Sequence, residues 1–157
     1  MKYDVDVVAV PEQTVAALRE RGPIGEIGTR MARLRAAVEA AGLACAGPMM
    51  VRFYEDDLAR PDLDFEVCVP VEPAPDGSVP DTIGEARGEL VPAHHALVTR
   101  HVGPRDTTDD AARALREALA ALGYRASGPL TEVYLSTRET PPDPARQVTE
   151  LRLPYAR

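Results

Sequence analysis

Residues 10–23 have the sequence VPEQTVAALRERGP, and residues 91–104 have the sequence VPAHHALVTRHVGP. Both stretches begin with Val-Pro and end with Gly-Pro, at an offset of 81 positions. At the same offset, GLACAGP (42–48) recurs as GYRASGP (123–129). A third match, Glu66–Pro70 against Glu150–Pro154, needs a slip of three residues, which a loop can absorb. The chain is therefore predicted to contain two copies of one supersecondary unit.

Each copy is predicted to fold as β-α-β-β. In the first copy, apolar residues recur at steps of three and four between Ile24 and Ala41, which indicates a helix, and Gly42 is a natural helix stop. The predicted fold class is α+β: a tandem pseudo-twofold β-α-β-β repeat that forms an antiparallel sheet with two helices on one face. Repeat one covers about 1–71, a proline-rich linker covers 72–84 and repeat two covers about 85–157, all within a single domain of residues 1–157. A seam between two copies favours a central ligand cleft.

Composition limits the classes of function. The 157 residues carry a formal net charge of -7, which argues against direct binding of nucleic acid because no basic surface is evident. No apolar run is long enough to cross a membrane, and the N-terminal residues resemble a strand more than a signal peptide. The two cysteines, Cys45 and Cys68, are not spaced as CxxC, which is typical of a reduced protein. We therefore expect a cytoplasmic protein with no membrane association.

The sequence contains no recognisable cofactor or metal motif. It has no GxSxG, no phosphate-binding Walker loop and no GxGxxG followed by a helix. His94 and His95 are adjacent on a predicted strand and so point to opposite faces, which makes a shared metal improbable. We expect neither a cofactor nor a metal ion.

The two copies differ most informatively at Glu132. In the strand TEVYL (131–135), Glu132 and Tyr134 occupy the positions that Val51 and Phe53 hold in the first copy. A carboxylate and a hydroxyl thus replace apolar residues, which core packing does not explain. If Val133 and Leu135 pack under the helices, alternation places Glu132 and Tyr134 on the open face.

A carboxylate in an apolar, aromatic-lined cleft has two possible roles. When ionised it pairs with a ligand cation, and nearby aromatic faces strengthen that attraction. With its pKa raised by desolvation it can act as a general acid or base, with Tyr134 as a proton donor. The alternative is that Glu132 is a solvated residue on an exposed strand face.

Five further residues are candidates to line the cleft. Phe53 and Val51 lie opposite the Glu132 pair in the repeat, and Met49 at the start of that strand has the flexible thioether that suits a permissive pocket. Glu66 and Glu150 match each other across the repeat and fall on polar strand faces. For these two glutamates a solvent-facing role is an equally good interpretation.

The paired Gly-Pro turns, the G-x-x-x-x-GP element before a strand, the EVYL strand (132–135) and the closing VTELRLP (148–154) together resemble the GyrI-like small-molecule-binding domain. This module is also the effector-binding domain of multidrug-responsive transcription regulators. The resemblance covers essentially the whole chain. It implies two repeats with a ligand cleft at the pseudo-twofold axis, a central-strand glutamate that meets the ligand, and drug-sized cations as one ligand class.

Three functions follow from this resemblance. The first is a stand-alone protein that senses or sequesters a hydrophobic or cationic small molecule, alone or through an unspecified protein partner, since the predicted first strand leaves no room for a DNA-binding helix-turn-helix. The second is a hydrolase of strained, DNA-alkylating cyclopropane natural products, with Glu132 as base and Tyr134 as donor. The third is an inhibitor that binds a DNA topoisomerase, which no residue of this sequence selects. Whether the protein is an enzyme is left open.

Overall fold

The computed structural model describes residues 3–135 and 143–157. Its two helices are α1 (Ile27–Ala40) and α2 (Asp109–Leu122), and single 3-10 turns lie at Ile24–Glu26, Arg105–Thr107 and Pro144–Arg146. The strands in chain order are β1 (Asp6–Val10), β2 (Gln13–Gly22), β3 (Met50–Phe53), β4 (Leu63–Pro70), β5 (Thr82–Ile83), β6 (Ala86–Val91), β7 (His94–Val102), β8 (Arg125–Ala126), β9 (Leu130–Tyr134) and β10 (Val148–Ala156). Two helices with antiparallel strands confirm the predicted α+β class.

The chain forms two compact units, each with one helix. The α1 unit comprises Pro11–Ala93, and its strands are ordered β3-β4-β2-β6-β5. The α2 unit comprises β1 together with the chain from His94 onward, in the order β1-β7-β10-β9, with β8 paired to β10. In both units the helix connects two strands of the same antiparallel sheet, as the repeat predicts.

The first strands of the two sequence repeats, β1 and β6, are exchanged. β1 precedes β2 in the chain but pairs with β7, where Val8 lies opposite Ala96. β6 precedes β7 in the chain but pairs with β2, where Val15 lies opposite Glu89. Each unit therefore combines the helix and the later strands of one repeat with the first strand of the other.

The strand register confirms the internal repeat residue by residue. In the α1 unit Val51 lies opposite Val67, and in the α2 unit Glu132 lies opposite Leu151. The equivalence of Val51 with Glu132 keeps the offset of 81, whereas Glu66 and Glu150 match with the slip of three residues that the sequence requires. The slip falls between β3 and β4 in the first repeat and between β9 and β10 in the second.

Apolar side chains under each helix form the cores. In the α2 unit, Leu115 of α2 packs with Leu97, Leu151 and Leu153 of the sheet. In the α1 unit, Leu34 and Val38 are the fully buried apolar residues of α1. Within residues 3–135 and 143–157, neither helix has the length and apolar character that a membrane crossing requires.

Candidate functional site

Glu132 is a buried carboxylate beneath the start of α2. It is central in β9, and only 4% of the residue is exposed. Its neighbour across the ladder is Leu151, a core residue that packs with Leu115 of α2, and directly opposed residues of an antiparallel pair share a face. Glu132 and Tyr134 therefore lie on the face that α2 covers. The expectation that they face the open side, with Val133 under the helices, is wrong: Val133 lies opposite Glu150 on the other face.

Two neutral hydroxyls hold the Glu132 carboxylate. Thr108 Oγ1 donates to Oε2 at 2.8 Å, and the Tyr134 hydroxyl donates to Oε1 at 2.9 Å. Thr108 is the residue that precedes α2, and its side chain does not cap the helix. The start of α2 is thereby joined to the centre of β9 by a side-chain hydrogen bond.

Among the described residues, no cationic side chain forms an ion pair with Glu132. Arg105, from the 3-10 turn before α2, instead places its guanidinium carbon 4.3 Å from the centroid of the Tyr134 ring. The Nε atom of Arg105 is buried, with no hydrogen-bond partner in the described part of the chain. The site thus holds an unpaired carboxylate, a phenol and a guanidinium that has stacked on the phenol ring.

Burial sets the electrostatics of the pair. Desolvation raises the pKa of Glu132 above its ordinary value of 4.5, and the charge of Asp109 adds to that rise. The hydrogen bonds from Thr108 and Tyr134 and the positive charge of Arg105 act in the opposite direction without cancelling the rise in the pKa. Burial and the adjacent carboxylate raise the pKa of Tyr134 well above 10.0. Glu132 is consequently more easily protonated than a solvated glutamate, and Tyr134 remains a phenol that can donate a proton.

A second polar side chain in the same region lacks a partner. Thr149 lies directly opposite Tyr134 in the ladder, is fully buried, and its Oγ1 has no hydrogen-bond partner among residues 3–135 and 143–157. The equivalent position in the α1 unit is Phe65, which lies opposite Phe53. At this pair of positions the α1 unit has two phenylalanines, whereas the α2 unit has a threonine and a tyrosine.

The other predicted site residues on β3 belong to the α1 unit. Val51 and Phe53 are buried there, and the Phe53 ring lies 6.5 Å from that of Phe65. Met49 is half-buried and directly precedes β3. Their role in ligand binding stays a prediction.

Glu66 lies at the centre of an ion network in the α1 unit. Tyr54 donates to its Oε1 at 2.6 Å, Arg52 lies 3.0 Å from the same oxygen and Arg87 lies 2.9 Å from Oε2. Glu89 contacts both arginines. Burial raises the pKa of Glu66, but these hydrogen bonds and charges outweigh it, so that the pKa is lowered overall. Glu66 is therefore a paired structural carboxylate.

Glu150 has a weaker version of the same arrangement. It pairs with Arg100 at 3.3 Å and with Arg152 at 2.7 Å, on the opposite face of the α2 unit from Glu132. The structure brings Glu132 and Tyr134 together and leaves Glu150 apart from them.

Sequence reasoning missed three residues of the site: Thr108, Arg105 and Thr149. The repeat contains the signal for two of them. Arg105 follows the second Gly-Pro turn where the first copy has Ile24, and Thr149 replaces Phe65. Comparing turns and closing strands between the copies, in addition to the central strand, would have identified both. Within the described residues no group of histidine, cysteine and acidic side chains is arranged to hold a metal ion.

Comparison with solved structures shows the same fold in other proteins. The C-terminal domain of EcmrR is 21% identical, with a TM-score of 0.87 over 100% of this chain and 99% of that one. EcmrR in its complex with DNA is 20% identical, with a TM-score of 0.85; 99% of this chain is covered, but it spans only 58% of the EcmrR chain.

Two more distant structures share the fold. A hydrolase encoded by lin2189 from Listeria innocua is 14% identical, with a TM-score of 0.67 over 97% of this chain and 91% of that one. SAV2435 bound to tetraphenylphosphonium is 13% identical, with a TM-score of 0.59 over 99% of this chain and 94% of that one. At these identities the likeness shows the fold alone.

The family of the chain follows from its match to a protein-family model. No curated protein matches the chain. A family model described as the GyrI-like small molecule binding domain matches residues 3–156, which is nearly the whole chain. The resemblance inferred from the repeat is thereby confirmed, and the chain belongs to the GyrI-like small-molecule-binding domain family.

Proposed function

We propose that this protein binds a hydrophobic organic cation at Glu132 and Tyr134 and acts in sensing or sequestration of that molecule. One observation carries the proposal. Glu132 is a buried carboxylate whose two oxygens are held by neutral hydroxyls, with no cationic side chain of the described chain paired to it.

A buried carboxylate without an ion-pair partner is costly, because the ionised form loses its hydration, and the nearby charge of Arg105 offsets only part of that cost. A ligand cation placed beside it would recover that cost, and the attraction is stronger there than in water. The ring of Tyr134 adds an electron-rich face on which a cation can rest. Leu151, directly opposite Glu132, belongs to the apolar core, so the carboxylate lies in apolar surroundings, which suit a hydrophobic cation better than a small hydrated one.

The comparison with SAV2435 supports this ligand class. That protein shares the fold and its structure holds tetraphenylphosphonium, a lipophilic cation. Tetraphenylphosphonium is therefore our probe, and triphenylphosphine oxide is its neutral counterpart of similar shape.

The test is isothermal titration calorimetry of both probes with three proteins: wild type, Glu132→Gln and Glu150→Gln. Glu150→Gln is the matched control, since it removes the same charge from the opposite face of the same unit. We expect Glu132→Gln to weaken tetraphenylphosphonium binding at least about tenfold and to leave triphenylphosphine oxide nearly unchanged. Equal cation affinity in wild type and Glu132→Gln would refute the proposal.

Hydrolysis of a strained cyclopropane is the second candidate. The raised pKa of Glu132 and the hydrogen bond from Tyr134 favour it, since together they supply a general base and a proton donor 2.9 Å apart. The likeness of the fold to that of a protein named a hydrolase supports this second candidate function. Here Glu132→Gln should abolish turnover of a cyclopropane substrate with little change in affinity, whereas a binding protein should show no turnover in either form.

A further inference from the structure

Arg105 and Arg30 are both stacked on aromatic rings, but they are held very differently. Arg30 of α1 lies 4.2 Å from the centroid of Phe65, donates to the carbonyls of Glu20 and Arg21, and is only 2% exposed. These bonds make Arg30 a fixed part of the α1 unit.

Within the described residues, Arg105 forms neither the carbonyl hydrogen bonds nor the ion pair with Glu26 that hold Arg30. It lies over the Tyr134 ring and is half-buried, and its Nε, like that of Arg30, is buried without a hydrogen-bond partner in the described part of the chain. It lies in a short 3-10 turn outside the sheet, and because the residue is only half-buried, part of it is already in contact with solvent. Arg105 is therefore a cation that rests on the ring and can leave it at small cost.

The place that Arg105 occupies is the one that a ligand cation would need. Tyr134 is bonded to Glu132, so the ring face and the carboxylate form one cation-binding surface. Arg105 covers the ring without taking an oxygen of Glu132, both of which are held by Thr108 and Tyr134. A guanidinium and a ligand cation cannot share that face, because like charges repel.

Resting on the function proposed above, we propose that Arg105 is a specificity-determining residue that competes with the ligand: a cation binds by displacing its guanidinium from the ring of Tyr134. Affinity then depends on how well an incoming cation stacks relative to arginine. Lipophilic cations with aromatic groups gain more from the ring and the apolar surroundings than small, strongly hydrated cations do. Arg105 would thus select large aromatic cations against ammonium and simple amines.

The test measures tetraphenylphosphonium affinity in wild type, Arg105→Ala, Arg105→Gln and Arg157→Ala. Arg157 is the matched control, since it also faces a tyrosine ring of the same unit, that of Tyr124, at 5.8 Å. We expect both Arg105 variants to bind about threefold to thirtyfold more tightly than wild type. Arg157→Ala should stay within about twofold of wild type.

Salt distinguishes displacement from a long-range effect of charge. At about 0.5 M NaCl a long-range effect is largely screened, whereas removal of a stacked competitor persists. Unchanged or weaker cation binding in both Arg105 variants would overturn the inference, and so would a gain that vanishes in salt. If Glu132→Gln loses the cation while Arg105→Ala gains nothing, only this inference fails. If Glu132→Gln binds the cation as wild type does, the proposed function fails first.

Discussion

The hydroxyl of Thr108 donates to the carboxylate of Glu132 at 2.8 Å, although Thr108 stands at the position where a side chain usually caps a helix. The hydrogen bond is used to hold the site carboxylate, and α2 begins without a side-chain cap. Acidic residues at the start of α2, Asp109 and Asp110, provide favourable charge there instead.

Thr108→Val should therefore change the pH dependence of cation binding. This hydrogen bond lowers the pKa of Glu132 against the larger effect of burial, so its loss should raise that pKa further. Cation affinity falls as pH falls through the pKa of Glu132, and the midpoint of that fall should move to higher pH in Thr108→Val. Titration of tetraphenylphosphonium affinity against pH measures the midpoint. Thr107→Val, which removes the neighbouring hydroxyl, is the control and should leave it in place.

Glu132 should make the protein less stable as pH rises. Its pKa is raised on folding, so between the unfolded and the folded value the native state binds more protons than the unfolded state. The free energy of unfolding of wild type should then decrease relative to that of Glu132→Gln as pH rises from below 4.5 through the raised pKa. Urea unfolding of both proteins across that range gives the difference. A difference that does not vary with pH would contradict the burial of an unpaired carboxylate.

The equivalent glutamates Glu66 and Glu150 should differ in their contribution to stability. Glu66→Gln should cost about 1–3 kcal/mol, because Glu66 is fully buried and accepts from Tyr54 and two arginines. Glu150→Gln should cost less than about 1 kcal/mol, because its partner Arg100 is largely exposed.

Acid should remove the contribution of Glu66 to the stability of the protein. The pKa of Glu66 is lowered on folding, so the stability it contributes is present above its ordinary pKa and is lost as pH falls through the lowered value. Chemical unfolding of wild type and Glu66→Gln at neutral and at acid pH tests this. Equal costs for the two glutamates at neutral pH would show that the Glu66 network is not stabilising.

Gly22→Ala should destabilise the protein by about 1–3 kcal/mol. A Cβ at Gly22 would come within 2.3 Å of Arg30 Nη2, and that guanidinium is pinned by the carbonyls of Glu20 and Arg21. Gly28→Ala is the matched control, since a Cβ there meets nothing within 4 Å and alanine is the better helix former. In thermal unfolding, Gly28→Ala should leave the melting temperature unchanged or raise it slightly. In an Arg30→Met background the cost of Gly22→Ala should shrink, and an undiminished cost would exclude the proposed clash.

The repeat was sufficient to predict the helix and the last two long strands of each copy. Matched Gly-Pro turns and glycine stops mark the two sides of each helix, and the register of Val51 with Val67 and of Glu132 with Leu151 follows the same alignment. The exchange of β1 and β6 could not be predicted, because the alternation along a strand selects its buried face but does not specify which neighbour it joins.

The face of Glu132 was also beyond reach of the sequence. Alternation selects a face only where one side of a strand is polar and solvated, but β9 is buried on both sides. Val133 and Glu132 are both buried, so burial does not distinguish the two faces of β9. Apolar character alone favours Val133 for the helix side, which is the wrong face. Thr108 was out of reach for a different reason, because a residue before a helix acquires its side-chain partner only when the helix is packed on the sheet.

The exchange of β1 and β6 has a consequence for synthesis on the ribosome. β1 lies before the whole α1 unit in the chain, yet its partner β7 follows that unit. Until His94–Val102 has left the ribosome, the sequence DVVAV of β1 must wait as an unpaired apolar strand, and such strands are prone to join other chains. Asp6, at the start of that strand, is the one charge that opposes such pairing during the wait.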